Sequence, residues 1–281
     1  MSELIVEIAA LRRLLGGRRQ AGKTVGLVPT MGALHAGHRR LLELARSETD
    51  VVVVSIFVNP TQFNRQDDLN QYPRTLDQDL AVCRTAGVDV VFAPSAAEMY
   101  PQAQLAWVDV SALTQHLCGP GRPRHFQGVA TVVMKLFQIV QPDRAYFGEK
   151  DAQQLVIIQR MVKDLNVPLI VVPVATVREP DGLALSSRNQ HLSPSEREQA
   201  VVLSRALFAA RDLVERGERS SDIIASSVAP ILKGVRLEYF SVVDPETLLP
   251  VERVEGPVLI AAAIWLGSTR LIDNVQVTPG A

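Results

Sequence analysis

Between residues 24 and 176, short β-branched runs alternate with amphipathic stretches, and this rhythm constrains the fold more than any other feature of the chain. "TVGLVPT" leads into a helical pattern from about His35, "DVVVVSIFVNP" precedes a helical pattern at 75–86, and "VDVVFAP" follows. The alternation resumes with "FQGVATVVMKLFQIV" as helix, "RAYFG" as strand, "DAQQLVIIQRMVKDLN" as helix and "LIVVPVAT" as strand. Strand runs that are apolar throughout are covered on both faces, and helices between parallel strands supply the cover. The expectation is an α/β fold over residues 1–176, a Rossmann-like doubly wound parallel sheet of at least five strands.

The texture changes after residue 176. "VREPDGLALSSRNQHLS" is polar and rich in turn formers, and Ser193-Pro194-Ser195-Glu196 has the form of a capping box with Pro at the first helical position. A long helix to about Gly217, a second at 221–233, and strands in "VRLEYFSVVD" and "VLIAAAIWLG" predict a smaller C-terminal α+β domain over 177–281.

Composition excludes several function classes. Lys and Arg number 29 against 30 Asp and Glu, for a net charge of −1, so no overall field draws the chain to nucleic acid or to an anionic membrane. Any anion site must be local. No apolar run approaches the roughly 20 residues of a membrane span. Cys83 and Cys118 have neither metal-ligand spacing nor the density of a secreted scaffold, and "MSELIVEIAALRRLL" lacks a basic-then-apolar leader pattern, so a cytoplasmic location is expected.

The local anion site is sought at "LVPTMGALHAGHRRLLELA", residues 27–45, where a strand gives way to a helix. A helix N-terminus offers unpaired N–H groups and partial positive charge. His35 and His38, three apart, share a face there, Gly32 permits a tight turn out of the strand, and Gly37 lets a ligand approach the backbone. Ligands of open α/β sheets bind at the carboxyl ends of strands, which is where this segment lies if the strand ends near Thr30. The same residues admit a plainer reading in which His35 caps the helix and His38 is a solvated surface residue.

"HAGH" resembles the H-x-G-H signature of nucleotidyl-transferring enzymes, and "PTMGALHAGH" is similar to the pantothenate synthetase (pantoate–β-alanine ligase) family. "VSIFVNPTQF" (54–63), "YPRT" (72–75), "RPRHFQGVATVV" (122–133), "FGEKDAQQL" (147–155) and "VREPDGLALSSRN" (177–189) resemble further blocks of that family, in order and over nearly the whole chain. The resemblance implies ATP-dependent condensation of pantoate with β-alanine through a pantoyl adenylate, with both nucleophiles supplied by substrates and pyrophosphate and AMP released. Two other readings compete: a different H-x-G-H enzyme, such as a nucleotidyltransferase or a truncated aminoacyl-tRNA synthetase relative, and a non-catalytic nucleotide-binding module. A tRNA-facing relative would need a basic stripe or an added RNA domain, neither of which is evident.

By that resemblance, Met31, Gly32, Ala33, Leu34, His35, Ala36, Gly37 and His38 line the ATP site, with His35 and His38 catalytic through donation to phosphate oxygens. Gly148 and Glu149 lead into Lys150, a catalytic point charge for phosphate, and Asp151, an acceptor for ribose hydroxyls. Val177, Leu185, Ser186, Ser187 and Arg188 complete the nucleotide site, with Arg188 catalytic on the β- and γ-phosphates. Leu185 stands where the family pattern often has Met, a roughly volume-conserving change. Gln62 and Gln154 are the implied pantoate and β-alanine contacts, while Asn59 either holds the same loop or touches substrate. Mg²⁺ is expected with ATP. Asp79 is its candidate contact, but Gln78 replaces the acidic neighbour of some relatives, and no protein metal ligand is assigned. His116, His125 and His191 read as structural, and Arg122 faces either the active site or a subunit interface. The family also implies a homodimer, for which the apolar "VLIAAAIWL" is either an interface or simply core.

Overall fold

A computed structural model describes residues 2–280. In chain order the elements are β1 (Glu3–Ile5), α1 (Ile8–Gln20), β2 (Val25–Thr30), α2 (Ala36–Glu48), β3 (Val51–Ile56), α3 (Gln66–Gln71), α4 (Leu76–Thr85), β4 (Val90–Phe92), α5 (Ala96–Met99), α6 (His125–Val140), β5 (Arg144–Gly148), α7 (Ala152–Asp164), β6 (Ile170–Val174), α8 (Pro194–Glu215), α9 (Ser221–Val228), β7 (Arg236–Val243), β8 (Val258–Leu266) and β9 (Thr269–Val277). They form two compact units. The first takes the chain up to Val110 with Arg122–Glu149 and Ile157–Ala175; the second takes Ser111–Gly121, Lys150–Val156 and the chain from Thr176 on.

The first unit is built on a six-stranded, wholly parallel sheet in the order β1-β4-β3-β2-β5-β6. The expected strands are present, with β1 in addition. At three residues β1 is too short to show a period, and it is held by in-register pairing of Glu3, Leu4 and Ile5 with Val90, Val91 and Phe92. β3 is buried from Val51 to Ser55, as a β-branched run between two helical layers should be. Pro173 is tolerated on β6 because that strand lies at the edge, where a missing N–H breaks no second ladder. The order of winding reverses between β2 and β5, which pair through Gly26–Arg144 and Leu27–Ala145. That reversal is the switch point at which open α/β sheets bind ligands, beyond the strands' carboxyl ends.

The second unit is an antiparallel sheet, β7-β8-β9, against which α8 and α9 pack through Leu203, Leu207, Ile224, Ile260 and Ile264. The predicted capping box is present: Ser193 Oγ accepts from Glu196 N at 3.4 Å, Glu196 Oε2 accepts from Ser193 N at 2.8 Å, and Pro194 opens the helix. Two details differ from the sequence expectation. α9 stops at Val228 rather than continuing to 233, because Pro230 lacks an N–H and its ring collides with the preceding turn. β9 is not among the expected strands, since its "TRLIDNVQV" mixes charges into the apolar pattern. "VLIAAAIWL" is β8, the central strand of this sheet and almost wholly buried within the unit, so its apolarity is accounted for as core.

Candidate active site

The segment leaving β2 at the switch point is shaped by one buried carboxylate. Gly32 (φ +83°) and Ala33 (φ +50°) stand in succession in the left-handed region, which turns consecutive backbone N–H groups inward. Asp79, in the first turn of α4 and only 2% exposed, accepts from Ala33 N at 3.1 Å, Leu34 N at 2.7 Å and Thr75 Oγ1 at 3.2 Å. A Cβ at Gly32 would meet Asp79 Oδ2 at 2.9 Å and Ile56 Cγ2 at 3.1 Å, so the glycine is required by close approach as well as by φ. Asp79 is thus engaged chiefly by the loop, with three of the roughly four acceptor positions of its carboxylate used by Ala33, Leu34 and Thr75. No group of three His, Cys, Asp or Glu side chains among the described residues is placed to hold a metal ion. The Ala33 and Leu34 N–H groups, by the same token, serve the loop.

The loop delivers His35 and His38 to the start of α2. His35 Nδ1 accepts from Gly37 N at 3.1 Å, and His38 Nδ1 accepts from His35 N at 3.3 Å, a reciprocal cap in which imidazoles replace Ser and Glu. The plainer reading of His35 as a helix cap is therefore correct as far as it goes. Capping also fixes the chemistry: a ring accepting at Nδ1 carries its proton on Nε2, so each imidazole is held as an Nε2–H donor. The ring centroids are 4.2 Å apart, tilted by 49°. Gly37 also leaves room for the His35 ring, since a Cβ there would sit 2.9 Å from His35 Cε1 and displace the ring.

Beside this segment, β3 exits through Asn59 into a single 3₁₀ turn, Pro60–Gln62. Asn59 is buried and saturated: Oδ1 accepts from Thr61 N (3.3 Å), Thr61 Oγ1 (2.9 Å) and Tyr100 OH (2.8 Å), while Nδ2 donates to Gln62 Oε1 (3.0 Å) and Gly128 O (3.2 Å). It holds the loop, which decides between its two expected roles. Gln62 Nε2 reaches Met31 Sδ at 3.2 Å, joining the 3₁₀ turn to the β2 exit. Two residues of α6 that sequence reasoning left without a site role set this turn. His125 Nδ1 lies 2.7 Å from the Gln62 carbonyl oxygen, and a Cβ at Gly128 would run into the Thr61 carbonyl and stand 2.9 Å from Gln62 Cα. Only the glycine in "HFQG" could have signalled that approach.

β5 ends at Gly148, where a Cβ would meet nothing within 4 Å, so packing does not demand the glycine. In the second unit, Lys150 and Asp151 close the 3₁₀ turn that precedes α7. Gln153 is buried and spent on structure, accepting from Cys118 N at 3.1 Å and donating to Leu113 O and His116 O at 2.9 and 2.8 Å; Gln154 is the half-buried neighbour. Residues 177–185 form a narrow hairpin through Glu179 N to Leu183 O (2.8 Å) and Leu185 N to Val177 O (2.9 Å). It leads to Ser186, whose Oγ accepts from Arg188 N at 3.3 Å and caps the 3₁₀ turn Ser187–His191. Neither Lys150 Nζ nor the Arg188 guanidinium has an ion-pair partner among the described residues. The second unit therefore carries cations without an ion-pair partner among its described residues, which suits an anion.

Comparison with known proteins bears on this chemistry. A family model described as pantoate-beta-alanine ligase matches residues 3–276. A pantothenate synthetase of Moorella thermoacetica is 51% identical over 276 residues, covering 97% of this chain and 98% of the relative. The crystal structure of pantothenate synthetase from Thermus thermophilus superposes with a TM-score of 0.93 at 47% identity, covering 99% of this chain and 100% of that one. That of pantoate-beta-alanine ligase from Francisella tularensis, complexed with beta-gamma ATP and beta-alanine, gives 0.81 at 34% identity, with 98% and 97% covered.

Proposed function

We propose a residue-level account on one premise: this chain belongs to the pantoate-beta-alanine ligase family. It is a carbon–nitrogen ligase that condenses pantoate with β-alanine, using ATP, to form pantothenate. The observation that carries the residue assignment is the His35–His38 pair, two imidazoles 4.2 Å apart at the sheet's switch point, each held by its own cap as an Nε2–H donor.

In the proposed first step a pantoate carboxylate oxygen attacks the α-phosphorus, the bond to the bridging oxygen breaks, and pyrophosphate leaves with that electron pair. Near neutral pH the carboxylate has no proton to lose, so the step needs charge stabilisation rather than a base. His35 and His38 supply it through donors oriented before reaction. Lys150, Ser186, Ser187 and Arg188 bind the phosphates, with Ser186 free to donate its hydroxyl proton because its oxygen already accepts from Arg188 N. Gln62 orients pantoate, its turn fixed by Asn59 and His125, and Gln154 contacts the acid or the amine. In the second step the β-alanine amine attacks the acyl carbon, the bond to AMP breaks, and the amine loses its proton.

Mg²⁺ would accompany ATP as MgATP and help neutralise its phosphates; no protein ligand is assigned to it, Asp79 being engaged by the backbone N–H groups of the loop. Met31–His38, Gly148, Glu149, Asp151, Val177 and Leu185 complete the proposed nucleotide contacts, and residues 177–281 act as the lid-bearing segment. A cytoplasmic homodimer is part of the same proposal, the dimer resting on the family resemblance and the location on the sparse, unpatterned cysteines. Among the described residues no helix is long and apolar enough to cross a membrane. The test is AMP release with each substrate omitted in turn. AMP should require pantoate, ATP and β-alanine together for sustained turnover, and turnover with another acid and no pantoate would refute the assignment.

A further inference from the structure

Two adjacent residues of β9, Asp273 and Asn274, are buried polar groups, 3% and 7% exposed. Successive strand residues face opposite sides, and Asp273 lies on the side of Leu271, Val275 and Val277, which belong to the apolar core under α8. A carboxylate there needs a partner. It has one in Arg178, held bidentately through Nη1–Oδ2 at 2.6 Å and Nη2–Oδ1 at 2.9 Å. Arg178 Nη2 also donates to Asn274 O at 3.2 Å, Nη1 to Gly182 O at 3.1 Å, and the guanidinium lies over Phe208 at 4.9 Å. Arg178 is thereby clamped in the hairpin whose exit carries Leu185–Arg188. On the opposite side of the strand, Asn274 Nδ2 donates to the carbonyl oxygen of Lys150 at 3.0 Å.

Burying an ion pair is an inefficient way to gain stability, because desolvation offsets most of the attraction; what good bidentate geometry provides is a fixed position. Here neighbouring positions on one strand fix two segments far apart in sequence, the hairpin of 177–185 and the turn bearing Lys150. We propose that Asp273 and Asn274 are positioning residues that set the spacing between Lys150 and the Ser186–Arg188 loop, and so the register of the grip on the nucleotide's phosphates. The proposal rests on the reading of those segments as phosphate-binding.

The test is a double-mutant cycle on the full chain with Michaelis constants measured for ATP and pantoate separately. Asn274→Ala should raise the KM for ATP by roughly 3- to 10-fold, the scale of one hydrogen bond, with the KM for pantoate changed less than about twofold. In a Lys150→Ala background the same substitution should add little, because the group it positions is gone. Asp273→Asn should behave likewise against Arg188→Ala; if it fails to fold, the Asn274 cycle decides alone. Equal changes in both Michaelis constants, or an Asn274 effect undiminished without the Lys150 side chain, would overturn the positioning role. A Lys150→Ala enzyme with unaltered nucleotide handling would instead remove the phosphate-binding reading beneath it.

Discussion

Asp79 Oδ1 accepts the backbone N–H of Leu34 at 2.7 Å, across 45 residues of sequence, and so holds the loop that presents His35. Removing the carboxylate leaves two N–H groups of that loop without their acceptor, at a cost of about 1–3 kcal/mol. Asp79→Ala should therefore lower the denaturation midpoint and depress adenylation together. Activity should not recover when Mg²⁺ is raised tenfold at saturating ATP. Recovery with metal would mean that Asp79 is a ligand.

The histidine tautomers make a second prediction. An amide nitrogen at the position of Nε2 can replace that donor, so His38→Gln should retain more activity than His38→Asn, whose amide mimics Nδ1. His38→Ala should lose about 10²- to 10³-fold in kcat, as other oriented donors to developing negative charge do. Single-turnover rates for the three variants give the ranking, and Asn outperforming Gln would contradict it.

Gln62 and His125 form the third test. Gln62→Ala should raise the KM for pantoate by about tenfold, the loss of one or two hydrogen bonds, and leave that for ATP within about twofold. His125→Phe strips the partner from the Gln62 carbonyl and should move the same constant in the same direction, whereas His125→Asn restores a donor near Nδ1 and should rescue it. Rescue absent, with both Michaelis constants altered alike, would reduce His125 to a packing residue.

Cys83 is buried one helical turn on from Asp79 in α4, and burial first, then the Asp79 charge, pushes its thiol up from 9.0 to about 12. The sign follows from proton counting: between pH 9 and 12 the unfolded chain has released this proton while the folded chain keeps it, so stability falls as pH rises. Urea unfolding across that window should show a shallower decline for Cys83→Ala than for the parent. In the folded protein at pH 8, thiol reagents should leave Cys83 unmodified; rapid labelling would show that the site opens.

These relationships mark the line between what the sequence announces and what only the fold supplies. The parallel sheet was legible because most of its strands fall in apolar, largely β-branched runs set between amphipathic helical stretches, and the His pair because it sits at a strand-to-helix junction beside glycines. Asp79, by contrast, reads as an ordinary acidic residue in a first helical turn, where the macrodipole alone would explain it. Its partners are backbone N–H groups, which no side-chain pattern encodes. Gly128 and His125 act on Thr61 and Gln62 through a helix packing brought about by tertiary structure. Asp273 and Asn274 obscured β9 itself, since buried polar residues break the alternation by which strands are recognised.

Whether adenylation precedes amide formation at the His35–His38 site is decided by rapid quench with labelled ATP and pantoate in the absence of β-alanine. The expected result is a burst of pyrophosphate approaching one equivalent per site, followed by a stall that β-alanine relieves, with the burst slowed in Arg188→Ala by loss of a charge-assisted hydrogen bond to the departing phosphates. Pyrophosphate appearing only after β-alanine is added would contradict it and require a concerted condensation.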